Sequence, residues 1–334
     1  MQITTTNYNG HKLPPTCITM SGSSTCYTGS KDKCLISWDI ETGKKNRIIK
    51  QAHSDHILSV AVSSDDKYLA SSGRDKMIRI WDVRSPQSTH IFQLSGHFKD
   101  VTGVAFQSGT YQLYSSSLDR TVRVWDASQG SFVDTLYGHE GEVSCVDCMY
   151  NPRCLTAAND NSLRLWKVFE ESQLVFNLSK TVNIDCAKLM REGIFLSGSQ
   201  DGSVCLWSSS KRKPLVKFEN AHGGEWINSV GTVRFSDVCA TGSSDGYLKL
   251  WRARPAEKQL DQIANIAVPG FINGISMSDD GRVMVACVGQ EHRLGRWTRN
   301  SSAKNGIVVV RMQVDQDAES EEDEEISDND NDDE

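Results

Sequence analysis

Apolar and polar residues alternate in short runs along most of the chain, as in HILSVAVSS (56–64), KYLASSG (67–73) and MIRIWDV (77–83). Side chains of a strand point to opposite faces in turn, so this period of two predicts short half-buried β-strands. Gly, Asp and Ser break the runs where turns are needed. The pattern therefore predicts an all-β chain built from many short hairpins.

The runs recur at a fixed interval. Trp38, Trp81, Trp125, Trp166, Trp207, Trp251 and Trp297 are spaced 43, 44, 41, 41, 44 and 46 residues apart. Six residues before each stands an acid: Asp32, Asp75, Asp119, Asp160, Asp201, Asp245 and Glu291. Four residues before the acid, six copies carry a hydroxyl (Thr28, Ser71, Ser115, Thr156, Ser197, Thr241) and the seventh carries Cys287. Further upstream, five copies hold His11, His53, His97, His139 or His222 after Gly or Ala. Such a unit buries its apolar face only by stacking on its neighbours.

These dipeptides and this period resemble the WD40 repeat. The resemblance implies a seven-bladed β-propeller over residues 1–312, four antiparallel strands to a blade, and the acidic composition of 313–334 predicts a disordered tail. Ring closure needs a terminal strand, and both the segment before His11 and GIVVVRM (306–312) qualify.

The recurring His, Ser or Thr and Asp suggest a hydrolase triad, but a nucleophile needs one exposed site with an oxyanion hole rather than near-copies around a ring. The resemblance implies instead a buried hydrogen-bond network within each blade, built from sets such as His53, Ser71, Asp75 and Trp81, or His97, Ser115, Asp119 and Trp125. A buried carboxylate is tolerated when its partners satisfy it. No phosphate-binding glycine loop, zinc-protease helix motif or nucleophile elbow occurs, so a non-enzymatic binding platform is expected, with no cofactor or metal.

Function in a repeat fold is sought where the repeat breaks. Repeat five lacks the histidine, and repeat six has an enlarged entry, FENAHGGEWINSV, holding the extra Trp226. Repeat seven departs most. One residue before the Trp, the column reads Ser37, Ile80, Val124, Leu165, Leu206, Leu250 and then Arg296; four before it, Arg293 follows Cys34, Met77, Thr121, Ser162, Ser203 and Tyr247. This register places VGQEHRLGRW (288–297) on the turn and inner strand of blade seven, with Glu291 in the aspartate slot. A guanidinium in an apolar column needs a partner or a ligand: Arg296 either pairs with Glu291 or, with Arg293, holds an anion.

GFINGISMSDDGRVMVACVGQEHRLGRW (270–297) resembles the family of WD-repeat subunits of the U3 small nucleolar ribonucleoprotein. Support comes from GTYQLYSSSLDRTVRVWD (109–126), EESQLVF (170–176), GSQDGSVCLW (198–207) and EWINSV (225–230). The resemblance implies an RNA-binding scaffold that joins U3 snoRNA at its box B/C motif. The partners it implies are the small kink-turn-binding core protein, other box C/D proteins and pre-ribosomal assembly factors. It implies nucleolar work in pre-rRNA processing toward 18S rRNA; no DNA or membrane partner is expected. It also implies that the aspartate turns and the histidine loops open on one face, where Lys31, Lys33, Arg74, Lys76, Arg120, Gln290, His292, Arg293 and Arg296 are the candidate contacts. A protein-interaction scaffold without RNA, such as a ubiquitin-ligase adaptor or chromatin-complex subunit, is the alternative reading. Family members commonly carry a charged N-terminal extension with an import signal, whereas this sequence starts at the first blade. Its short basic clusters are Lys211, Arg212, Lys213 and Lys44, Lys45, Arg47.

Charge sharpens this picture. The formal charge is −7, yet residues 315–334 hold 13 acids and no base, leaving 30 acids against 36 bases in the rest. A mildly basic body suits phosphate contacts. Ten scattered cysteines suit a reducing, intracellular setting. The single CxxC, Cys145 and Cys148, falls in an alternating run that points the two thiols to opposite faces, which is no zinc site. No apolar run reaches the length of a membrane span, and the start lacks a secretory signal's apolar core.

The acidic tail cannot build a core. Ser320 and Ser327 precede acids and are candidate sites for acidophilic kinases. A tail that competes with RNA for the basic body predicts that deleting 315–334 raises RNA affinity; unchanged affinity and salt dependence in a titration refutes the competition.

Overall fold

The computed structural model describes residues 2–178 and 182–313, so Ser320 and Ser327 lie outside the described residues. These residues form seven four-stranded antiparallel sheets arranged as blades. Blade 1 runs from the channel outward through Pro15–Ser21, Thr25–Ser30, Leu35–Asp39 and Lys45–Ile49. Blades 2 to 6 repeat that order. Blade 7 is composite: Phe271–Met277, Val283–Gly289 and Gly306–Gln313 come from one end of the chain, and Gln2–Asn9 from the other. Both terminal segments thus enter one sheet, with unbroken register from Gln2↔Gln313 to Asn9↔Gly306. Each inner strand remains the edge of its own sheet, short and protected by its neighbours around the channel.

The apolar core is divided into seven clusters, each between two neighbouring blades. One joins Ile36 and Trp38 of blade 1 to Val285 and Val309 of blade 7. Polar links run around the channel beside these layers. Thr16 Oγ1 donates to Ile57 O at 2.6 Å, Thr102 Oγ1 to Val143 O at 2.7 Å, Ser144 Oγ to Ile184 O at 2.8 Å, and Ser229 Oγ to Ile272 O at 2.9 Å. Asn273 Nδ2 closes the circle on Pro15 O at 2.9 Å.

Within five blades the recurring residues form one relay. In blade 3, Trp125 Nε1 donates to Ser115 Oγ at 2.8 Å, which meets His97 Nε2 at 2.8 Å; His97 Nδ1 lies 2.8 Å from Asp119 Oδ2. Blades 1, 2, 4 and 6 repeat it through His11, His53, His139 and His222. A chain from indole N–H through hydroxyl and Nδ1-protonated imidazole to carboxylate satisfies every member. Blade 2 adds Arg79, whose Nη1 is 2.7 Å from Asp75 Oδ2. In blade 5, Trp207 still bonds Ser197, while Asp201 takes Ser203 Oγ at 2.5 Å and Lys217 Nζ at 3.5 Å.

Blade 7 overturns the register expected from the repeat. Cys287 pairs with Ile307 and Val285 with Val309, as Thr28 pairs with Ile36 and Cys26 with Trp38. Val309, not Trp297, therefore fills the tryptophan slot, twenty-two positions after Cys287 instead of ten. Residues 290–305 hold no strand. VGQEHRLGRW is thus the end of a strand followed by a long loop. Arg296 never occupied the apolar column: that slot belongs to Val308, which is buried. A run of seven similar copies hid a loop insertion because a tryptophan happened to fall near the expected place.

All ten cysteines are free thiols. Cys145 and Cys148 pack into different inter-blade clusters.

The relay sets the pH response. Burial alone would raise the relay carboxyls, but their histidine, hydroxyl and backbone partners outweigh it, holding Asp32 at about 2 and Asp75, Asp119 and Asp160 well below the usual range. Burial also pushes His53 and His139 down. A depressed carboxyl contributes stability that is complete above about pH 4 and lost as pH falls through its folded value; a depressed imidazole loses its contribution below about pH 6.5. Thermal melts should therefore decline below about pH 6.5 and steepen below about pH 4. Asp119→Ala should cost roughly 2–4 kcal/mol and flatten the acid limb. An unchanged melting curve in that variant rejects the relay as a stabilising element.

Candidate functional site

The loop 290–305 crosses the face where the histidine loops and aspartate turns open, here called the upper face. Its contacts reach well beyond blade 7. Asn273 Nδ2 donates to Glu291 O at 3.0 Å, and Lys31 Nζ of blade 1 donates to Gly295 O at 3.0 Å. Arg74 of blade 2 donates to Leu294 O, and Arg293 Nη2 donates to Asp185 O of blade 5 at 3.1 Å. His292 and Trp297 pack with Trp226 of blade 6, all ring centroids lying 5.3–5.6 Å apart.

These contacts separate the residues picked out in the sequence. Arg293 does not face outward. It enters the central channel, where it borders a cavity of about 110 Å³ lined by inner-strand residues of all seven blades. There it faces Asp185, whose carboxyl is pushed up to about 6 by burial against the pull of Arg293. His292 is buried, and burial with the Arg293 and Lys31 charges lowers it to about 3, so it is a neutral pillar of the aromatic cluster. Gln290 spends its amide inside the loop, donating to Ala303 O at 3.0 Å and accepting from Arg299 Nη2 at 2.9 Å. Arg296 is 69% exposed, with Nε 2.7 Å from Glu291 Oε1, and Glu291 Oε2 also meets Lys31 Nζ at 3.3 Å.

Lys76 and Arg120 stand at a different kind of position. Each follows the relay aspartate, is exposed, and holds a left-handed backbone, φ 66° and 71°; Lys33 matches them in blade 1 at 66°. Asn161, Gly202 and Gly246 take that turn in blades 4 to 6. The three cations are exposed on successive blades, and Lys33 Nζ additionally donates to Ser54 O at 2.7 Å.

Beside them opens a cavity of about 340 Å³ lined by Lys12, Lys31, His56, Arg74, Arg296 and Arg299, with Glu291 as its carboxylate. Sequence reasoning missed Lys12 and His56, which stand just after the repeat histidines, and Arg299, which lies outside the repeat; the signal available for Arg299 was the long interval between VMVACVG and the next alternating run, GIVVVRM. Among the described residues, no cluster of three His, Cys, Asp or Glu side chains is placed to hold a metal ion.

The family model for the WD domain, G-beta repeat, matches residues 2–39, 43–82, 88–126, 130–167, 174–208 and 212–252. The chain is accordingly a WD40-repeat propeller, and blade 7, which lacks the relay, is the blade whose inner three strands the repeat model does not match. Within that class, it is 41% identical over 325 residues to U3 small nucleolar RNA-interacting protein 2 of Homo sapiens, covering 91% of this chain and 68% of the relative. It is 36% identical over 343 residues to the U3 snoRNP-associated protein-like YAOH of Oryza sativa subsp. japonica, covering 90% and 67%. A solved structure described as "Structure of U3-55K" superposes with a TM-score of 0.89 at 40% identity, covering 92% of this chain and 98% of that one. The chain belongs to the family of U3 small nucleolar RNA-interacting WD40 proteins. It spans about two thirds of the length of the curated relatives it matches.

Arg293 compensates Asp185, which ionises more fully above about pH 6. Arg293→Met should lower the melting temperature, and the loss should be larger at pH 8 than at pH 5; a loss independent of pH assigns Arg293 to packing alone.

Proposed function

We propose that this chain is a non-enzymatic RNA-binding scaffold of the U3 small nucleolar ribonucleoprotein, acting in the nucleolus in pre-rRNA processing toward 18S rRNA. The box B/C region of U3 snoRNA, bound together with the kink-turn core protein, is its expected target. Relatives named for U3 RNA and the U3 particle support the assignment.

The observation that carries RNA contact is the cationic rim. Lys33, Lys76 and Arg120 hold a left-handed conformation that side chains other than Gly, Asn and Asp adopt at a cost. Blades 4 to 6 meet the same turn with Asn or Gly, so the fold does not require a long cation there. Three exposed cations retained at successive blades form an arc of positive potential on one face, which is what a phosphate backbone needs. Arg74 and Arg296 extend this arc toward blade 7, whereas Gln290, His292 and Arg293 serve it only by holding the loop.

A gel shift with box B/C RNA and its kink-turn protein, run at several salt concentrations, tests the reading. Lys76→Gly with Arg120→Gly should weaken binding at every sequence tested and reduce the salt slope by about two, while the melting temperature stays level or rises. No binding by the native chain at any salt would favour a protein-interaction scaffold instead.

A further inference from the structure

The cavity between the blade 7 loop and blades 1 and 2 has the makings of a receptor for one nucleotide. Five cationic side chains line it, Lys12, Lys31, Arg74, Arg296 and Arg299, against one carboxylate. That carboxylate, Glu291, is already shared between Lys31 and Arg296. Two buried donors of the lining, Arg74 Nε and His56 Nδ1, have no hydrogen-bond partner. That same Arg74 Nε lies 3.7 Å from Asp100 Oδ2, too far for a hydrogen bond, so its nearest carboxylate is only a loose ion-pair partner. Lys31 is itself buried, whereas Lys12, Arg296 and Arg299 reach the cavity from its exposed rim. Assembling like charges in this way is costly unless an anion shares them.

A flat apolar surface lies at the mouth. Gly295 lines the cavity, and a Cβ built on it would fall 2.7 Å from the Trp297 ring. The ring therefore sits at the cavity's edge. Trp226 and His292 support Trp297 from the propeller side, yet 63% of it remains exposed. A braced and exposed indole beside a cationic pocket is the arrangement by which unpaired nucleotides are held, base on ring and phosphate among cations.

We propose that the pocket binds a phosphodiester of unpaired RNA and that Trp297 stacks the adjoining base. The inference rests on the RNA-binding reading above and deepens it, by assigning single-stranded rather than duplex RNA to this site. A duplex keeps its bases stacked inside and offers none to Trp297.

The test uses the full chain and a 5′-phosphorylated single-stranded oligoribonucleotide of mixed sequence, followed by tryptophan fluorescence and by a salt series. Trp297→Ala should weaken binding roughly tenfold and Trp297→Phe should restore most of it, since a benzene ring still stacks. Lys12→Glu and Arg299→Glu should each weaken binding and lower the salt slope by about one. Lys12 is exposed, which keeps the charge test separate from loop folding. The same strand annealed into a duplex should not change the part of the fluorescence that Trp297→Phe removes. If the native chain binds the oligonucleotide and all of these variants bind it equally well, the pocket assignment is wrong while the RNA reading stands. If the native chain binds no RNA but a phosphopeptide binds in a Lys12- and Arg299-dependent way, the RNA reading is wrong and the pocket serves a protein partner.

Discussion

The pairing of Gln2–Asn9 with Gly306–Gln313 is the constraint on which the rest depends. A propeller of separate sheets has no core until each blade has a neighbour on both sides, because each apolar layer lies between blades rather than within one. The seventh interface forms only when the two ends of the chain meet in one sheet. The hydroxyl and amide donors that pass from one inner strand to the next, ending with Asn273 on Pro15, then lock the ring around the channel. Register on the upper face follows from that closure.

Blade 7 has given up the device that steadies most of the other blades. Where they bury a relay of Trp, hydroxyl, His and Asp, it has Val309, Cys287 and no histidine. Its upper loop compensates by bonding to other blades: to blade 1 through Lys31, to blade 2 through Arg74, to blade 5 through Arg293 and to blade 6 through Trp226. The loop is thus tied across the mouth of the channel, and the same ties hold Trp297 and the cations of the neighbouring cavity in place. Structural support and candidate recognition share one segment. Within it Arg293 and His292 point inward and brace, while Arg296, Trp297 and Arg299 are exposed.

Alternation and the recurring Trp, Asp and hydroxyl positions were enough to identify strands and the number of repeats, because these are local patterns with fixed spacing, and the resemblance to the WD40 repeat implied the relay sets such as His97, Ser115, Asp119 and Trp125. That Lys76 and Arg120 stand at turns was legible for the same reason. The site around blade 7 was not. Column comparison put Arg296 in an apolar strand and Arg293 on the rim. Cross-strand pairing instead shows a twelve-residue lengthening between Cys287 and Val309, with Arg293 directed into the channel.

The sequence by itself determined that this is an all-β ring of seven repeats with a basic body, since repeat period and charge are properties of the chain alone. Which terminal segment closes the ring, which tryptophan is core and which is exposed, and which arginines meet at one cavity were decided only by tertiary structure. Lys31 and Arg74 share the repeat position before the relay aspartate, but Arg299 comes from a loop outside the repeat and lies more than two hundred residues from either. Closure of the ring is what brings them within a few ångströms of a common space, and no local pattern encodes that meeting.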